Sequence, residues 1–190
     1  RARFRREIDV SKVIDHPTIP AVVRPGAPMS PPVRAHSRSR STTDKYLTFV
    51  LGREHYGLPV LKVREIIRFC DITPVPQMPE YVRGVLNLRG KIIPVVDLRM
   101  KFNLAEAKQT ELTCIILVQV TRPDKSNTLM ALVVDGVEEV VNLTEADIEP
   151  TPDFGGAVQA DYILGMAKIK GQVKALLDID AVLHGVEWKK

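Results

Sequence analysis

Cysteine, histidine and aromatic residues are all scarce in this 190-residue chain, at two, four and ten residues. Cys70 and Cys114 show no CxxC spacing, which argues against a disulfide framework or a structural zinc site and suits a reducing cytoplasm. Both read as small buried or half-buried side chains. His16, His36, His55 and His184 form no HxxxH or HExxH pair, and each reads as a solvated surface residue. No nucleophile elbow, phosphate-binding loop or GxGxxG turn is present. Asp135-Gly136-Val137-Glu138-Glu139 lacks the alternating oxygen ligands of a calcium loop and reads as a strand with a glycine-marked bulge. Long apolar runs are missing too. The longest lies near Cys114–Val118, far short of the roughly 20 residues of a membrane span, and the basic start Arg1–Arg6 is not followed by a signal-peptide core. No Met opens the sequence, so the expectation is a processed, truncated or excised chain. These absences predict a protein that is not an enzyme and holds no metal or cofactor.

What is present is unevenly placed. The formal charge of +4 and the pI near 9.1 come from the first 44 residues, which hold nine basic and four acidic side chains. Residues 45–190 hold 18 basic and 19 acidic ones. Six of the 14 prolines and the run Ser37-Arg38-Ser39-Arg40-Ser41 fall in the same opening segment. Such a composition buries too little apolar surface to offset its ordering entropy, so 1–44 reads as a basic, linker-like tail, with Arg3–Ile14 able to form a short helix on a partner.

From Lys45 onward the chain is a series of short β-branched runs separated by turn residues: Tyr46–Leu51, Tyr56–Ile67, Val85–Leu88, Lys91–Leu98, Thr113–Val120, Leu129–Val134, Val137–Leu143, Ile163–Lys170 and Gln172–Asp178. That pattern predicts a sandwich or barrel. Helix is minor, at Leu98–Phe102 and at Asp180–Leu183 with Asp180 as N-cap and Gly185 beyond its end. An internal repeat is the most informative feature. Gly84-Val85-Leu86-Asn87-Leu88-Arg89-Gly90-Lys91 through Leu98 aligns without gaps with Gly165-Met166-Ala167-Lys168-Ile169-Lys170-Gly171-Gln172 through Ile179. Val63-Arg64-Glu65-Ile66-Ile67 likewise echoes Val137-Glu138-Glu139-Val140-Val141. Two units of about 70 residues predict two packed barrels of about five strands each. Arg89-Gly90 and Lys170-Gly171 then sit at hairpin tips, where glycine supplies positive φ and the preceding cation is presented on a stiff support. Asp97 and Asp178, at matching positions after strands, read as turn or cap residues.

Tyr46–Ile67, Gly84–Leu98, Val133–Val141 and Tyr162–Ile179 resemble the CheW family of bacterial chemotaxis coupling proteins, over nearly all of residues 46–184. The densest match is Arg83-Gly84-Val85-Leu86-Asn87-Leu88-Arg89-Gly90 followed by Ile93-Pro94-Val95-Val96-Asp97-Leu98. The opening tail has no counterpart in a minimal family member, and Thr121–Thr128 is a few residues longer than the usual connection.

The resemblance implies an all-β fold of two SH3-like five-stranded barrels with short helices, formed by 45–190 behind the flexible N-terminal tail. It also implies a cytoplasmic, non-enzymatic scaffold recruited to membrane receptor arrays, with no direct membrane insertion. Its implied partners are the regulatory domain of the histidine kinase CheA and the cytoplasmic tip of methyl-accepting chemotaxis receptors. Carried over by motif position, the receptor-binding residues would be Val63, Glu65, Arg89 and Val140, and the kinase-binding residues Ile72, Gly84 and Ala131. Glu65 would orient Arg89, and the two valines would line an apolar groove between the barrels; the plainer alternative makes both valines core and Glu65 and Arg89 ordinary solvated charges. Two other readings stand beside this one. The chain is a CheW-like domain cut from a larger signalling protein, such as a receiver-fused coupling protein or the kinase itself. Or the tail makes it a nucleic-acid-binding module, although a near-neutral domain with nine aromatics and no basic–aromatic interleaving offers no stacking platform.

Overall fold

The computed structural model describes residues 43–105, 108–151, 162–184 and 186; the expected tail helix at Arg3–Ile14 and nearly all of the tail lie outside them. The described strands are β1 (Thr43–Leu51), β2 (Glu54–Pro59), β3 (Val63–Arg68), β4 (Val82–Leu88), β5 (Lys91–Asp97), β6 (Cys114–Thr121), β7 (Asn127–Val134), β8 (Gly136–Thr144), β9 (Ile148–Glu149), β10 (Ile163–Ile169) and β11 (Gln172–Leu177). Two one-turn helices, α1 (Leu98–Lys101) and α2 (Ile179–Val182), follow β5 and β11. One sheet runs β3-β6-β7-β5-β4 and the other β8-β1-β2-β11-β10-β9. These are the two SH3-like barrels, all antiparallel except for the pairs β5·β7 and β11·β2.

The strand orders match term for term: β3, β6, β7, β5 and β4 correspond to β8, β1, β2, β11 and β10. The repeat therefore closes differently from a simple tandem. Residues 63–134 make one barrel by themselves, but the second unit takes its last hairpin, β1–β2, from the opposite end of the domain. The parallel pairing of Ala175 and Leu176 with Tyr56 and Gly57 seals that exchange.

Burial explains why β6 and β7 read as continuous apolar runs rather than alternating ones. On β6, Ile115 and Leu117 enter the core of their own barrel, with Leu86, Ile93, Val95, Ala131 and Val133. Ile116, Val118 and Val120 face a second core shared with Leu47, Phe49, Leu51 and Leu58 of the other barrel. Strands buried on both faces lose the period-two signal.

Local chemistry fixes the connections. Asp97 accepts hydrogen bonds from the backbone N–H groups of Arg99 and Met100, and Asp178 accepts from those of Asp180 and Ala181. Both aspartates are thus N-caps, and the expected cap at Asp180 moves back to Asp178, because β11 ends at Leu177, one residue earlier than expected, and α2 begins at Ile179. Gly84, at φ +134°, lies under the crossing chain: a Cβ there would stand 2.0 Å from the Thr73 carbonyl oxygen. The expected bulge near Gly136 falls just beyond it, where Val137 through Val140 face only Phe49 to Leu47, and the buried Thr48 hydroxyl accepts from Glu139 N–H and donates to its carbonyl. Cys70 is exposed rather than buried, since β3 ends at Arg68 and the chain beyond it runs along the surface; Cys114 is half-buried.

His55 is likewise not a free surface residue. Lys174 occupies the repeat position of the buried Ile93, and its side chain is only 3% exposed. Its Nζ lies 2.5 Å from Glu138 Oε2, while Glu138 Oε1 lies 3.2 Å from His55 Nδ1. Burial pushes the Glu138 carboxyl up, but the hydrogen bonds and charges of Lys174 and His55 outweigh it and hold it below the ordinary value of 4.5.

Two stability measurements follow. Gly90 is also left-handed, at φ +81°, but an added Cβ meets nothing within 4 Å, so Gly90→Ala costs about 1–2 kcal/mol. Gly84→Ala adds a backbone collision and falls in the range above about 4 kcal/mol in urea unfolding. Because the folded pKa of Glu138 is depressed, its contribution is present at neutral pH and is lost as pH falls from 4.5 through the folded value. Glu138→Gln strands the buried Lys174 and costs about 3–5 kcal/mol at pH 7. The gap to the unsubstituted protein narrows on acidification below 4.5.

Candidate partner-docking site at the β4–β5 hairpin

The tip between β4 and β5 is a two-residue turn with both residues left-handed, Arg89 at φ 52° and Gly90 at 81°. This primed geometry matches the twist of the flanking strands. Asn87 Oδ1 accepts the Gly90 N–H at 3.0 Å, which gives Asn-Leu-Arg-Gly a local physical purpose. Arg89 stands on this support with its side chain 76% exposed, and its Nη2 donates to Glu65 Oε1 at 2.8 Å. So exposed a pair contributes at most about 1 kcal/mol to stability. Its effect is directional: one contact aims the guanidinium and leaves most of its five donors uncommitted to Glu65.

The expected orientation of Arg89 by Glu65 is thus present in the geometry. The repeat reproduces it in the other barrel, a correspondence that residue spacing offered and that pairing Glu139 with Lys170 would have revealed. Lys170 and Gly171 take φ values of 51° and 83°, and Lys170 Nζ, on a side chain 73% exposed, lies 2.6 Å from Glu139 Oε2. Ile92 and Val173, also at matching positions, are large apolar residues exposed beside the two tips. Neither was apparent as a surface residue from strand patterning.

The other motif-derived positions sort by burial. Val63 begins β3 opposite Val118, is 2% exposed and belongs to the shared core. Val140 on β8 pairs with Leu47 and packs half-buried against that same core, so both valines border the junction of the barrels, but only Val140 retains accessible surface. Ile72 packs half-buried on the core of the first barrel. Gly84 lies beside it through Thr73, whose N–H and C=O both bond to Val85. Ala131 is 0% exposed within that core. Its side chain supports the barrel from inside and presents nothing to a partner.

A second junction feature joins the two units. Lys101 of α1 lies over the rings of Tyr81, at 4.4 Å, and Tyr162, at 6.0 Å. The tyrosines are repeat counterparts, and their carbonyls accept the N–H groups of the cap residues Asp97 and Asp178. Burial lowers the Lys101 amine from its usual value. Among the described residues no group of three or more His, Cys, Asp or Glu could hold a metal ion. No helix there is long and apolar enough to cross a membrane.

Comparison with known proteins gives a consistent picture. The family model of the CheW-like domain matches residues 45–187. Chemotaxis protein CheW of Klebsiella aerogenes is 34% identical over 143 residues, spanning 75% of this chain and 83% of that protein. Protein FrzA of Myxococcus xanthus is 30% identical over 145 residues, covering 76% and 87%. The crystal structure of scaffolding protein TtCheW from Thermoanaerobacter tengcongensis superposes with a TM-score of 0.66 at 31% identity, covering 75% of this chain and 94% of that one. With the interlocked barrels and the Asn-Leu-Arg-Gly tip, these matches show that the chain belongs to the CheW-like family of chemotaxis adaptors.

Proposed function

We propose that the chain is a non-enzymatic scaffold that couples the histidine kinase CheA to the cytoplasmic tip of methyl-accepting chemotaxis receptors, working in the cytoplasm at membrane-bound arrays. The observation that carries the reading is the Arg89 guanidinium, lifted on a rigid left-handed turn, steered by Glu65 and flanked by the exposed Ile92. An aimed guanidinium suits a carboxylate or carbonyl on a partner, and a neighbouring apolar surface suits the face of a helical hairpin. In this reading Arg89 meets the receptor directly and Glu65 acts through it, holding the guanidinium in place. Val140 borders the contact at the barrel junction, and Val63 holds β3 in place from the core.

The kinase face is the outer wall of the first barrel. There Ile72 is the side chain with surface to offer, Gly84 lets the Thr73 segment lie close, and Ala131 sets the wall from within.

Co-sedimentation with a receptor cytoplasmic fragment and with CheA separates the two faces. Arg89→Glu weakens receptor binding at least about tenfold, ~1.4 kcal/mol, with circular dichroism and CheA binding unchanged. Ile72→Arg does the reverse. An Arg89→Glu variant that binds receptor as the unsubstituted protein does would remove the site.

A further inference from the structure

The device at the β4–β5 tip is built twice, and its second copy, at the β10–β11 tip, has no role in the reading so far. Lys170 and Glu139 are exposed to nearly the same degree as Arg89 and Glu65. Both glutamates are set by an irregularity in a strand at the end of its sheet. The β3·β6 register shifts between Val63 and Glu65, and Glu138 and Glu139 of β8 together face Thr48 alone. Such bulges re-aim side chains.

Folding does not require this duplication. An exposed ion pair contributes at most about 1 kcal/mol, and an exposed valine takes little apolar surface out of water. Elsewhere the two copies have drifted: in the aligned run 84–98 only two glycines and the capping aspartate are identical, and the buried Ile93 corresponds to Lys174. The exposed cation, its steering glutamate and the exposed β-branched neighbour are nonetheless present in both.

We infer that the β10–β11 tip is a second grip on the same helical receptor tip, with Lys170 taking a carboxylate and Val173 an apolar residue on the same helix face. The inference rests on the docking role proposed for Arg89. Continuity with that contact selects the occupant. Val140, which borders it, directly follows Glu139, and Val140 and its counterpart Ile66 both pack on the core shared by the barrels. Each tip thus reaches back, through its glutamate, to a strand bordering the one junction, and a helical hairpin laid along that junction runs beside both.

Charge selects an acidic surface on that occupant. The exposed Lys168 pairs with Val173 across the hairpin, where the first tip has Asn87 opposite Ile92. Two ammonium groups therefore flank the exposed valine, and Glu139 offsets one of them. An ammonium is a point charge with three donors. With one directed at Glu139, Lys170 can take a further carboxylate oxygen without the planar match that a guanidinium fork demands.

Calorimetry of the full chain with a receptor cytoplasmic fragment tests the assignment. Lys170→Glu weakens binding about three- to tenfold, less so at high salt, as expected for a charge at the rim of an interface. CheA binding and circular dichroism are unchanged. Lys170→Gln, which removes the charge without opposing Glu139, gives a smaller loss, and Lys170→Arg retains the affinity. Should Lys170→Glu fail to fold, Lys170→Gln carries the comparison. Folded Lys170 variants that bind like the unsubstituted protein, while Arg89→Glu is weakened, would overturn the second grip and leave the first. If Arg89→Glu also binds normally, the receptor reading itself fails, and the second grip with it.

Discussion

The exchange of hairpins between the two halves is the constraint on which the rest of the molecule depends. The β1–β2 hairpin completes the barrel built from β8 to β11, so only the first barrel, residues 63–134, is built from contiguous sequence. Leu47, Phe49 and Leu51 from β1 meet Ile116, Val118 and Val120 from β6 in one core. At roughly 25 cal/mol per Å² of apolar surface removed from water, a core filled by aliphatic side chains from both barrels outweighs any surface ion pair in the structure. The relative position of the two barrels is therefore set by packing, and the charged side chains are free to act elsewhere.

That division of labour explains the form of the candidate site. Arg89 sits at the end of a hairpin whose base is locked into the first barrel by Leu86 and Ile93 and whose tip is locked by Asn87 and Gly90. The guanidinium can then be exposed yet directed, with Glu65 supplying the last degree of orientation from the neighbouring strand. The second barrel builds the same device with Lys170 and Glu139. A lysine is a compact ammonium on a flexible stem, without the planar fork of a guanidinium, so the two tips are related in architecture but not in what they can grip. The asymmetry of the halves recurs in their interiors, where Lys174 and Glu138 stand at the repeat positions of Ile93 and Arg64.

Much of this was legible in the chain. The 81-residue offset between Gly84 and Gly165 located both hairpin tips and paired Asp97 with Asp178, because tight turns and caps depend on a few residues at fixed spacing, although the cap of α2 was expected at Asp180. The hairpin exchange was not legible. β1–β2 and β6–β7 share a register of packing but little sequence identity, and the parallel pairing of β2 with β11 joins residues more than a hundred positions apart. The burial of Lys174 was not legible for a related reason: only the long-range arrival of Glu138 and His55 makes the interior tolerable for its charge. Val63 and Ala131 show the limit of motif transfer, since matching a motif identifies a position but not whether its side chain faces a partner or the core.

In the proposed receptor docking, Glu65 acts through Arg89 rather than by a contact of its own. A double-mutant cycle on receptor-tip affinity, with Glu65→Gln, Arg89→Ala and the pair measured by calorimetry, tests it most directly. The account predicts that Glu65→Gln weakens binding in the unsubstituted protein and has no further effect once Arg89 is alanine, a coupling of about 0.5 kcal/mol or more. Strictly additive losses would contradict it, because Glu65 would then be acting independently of the guanidinium it touches.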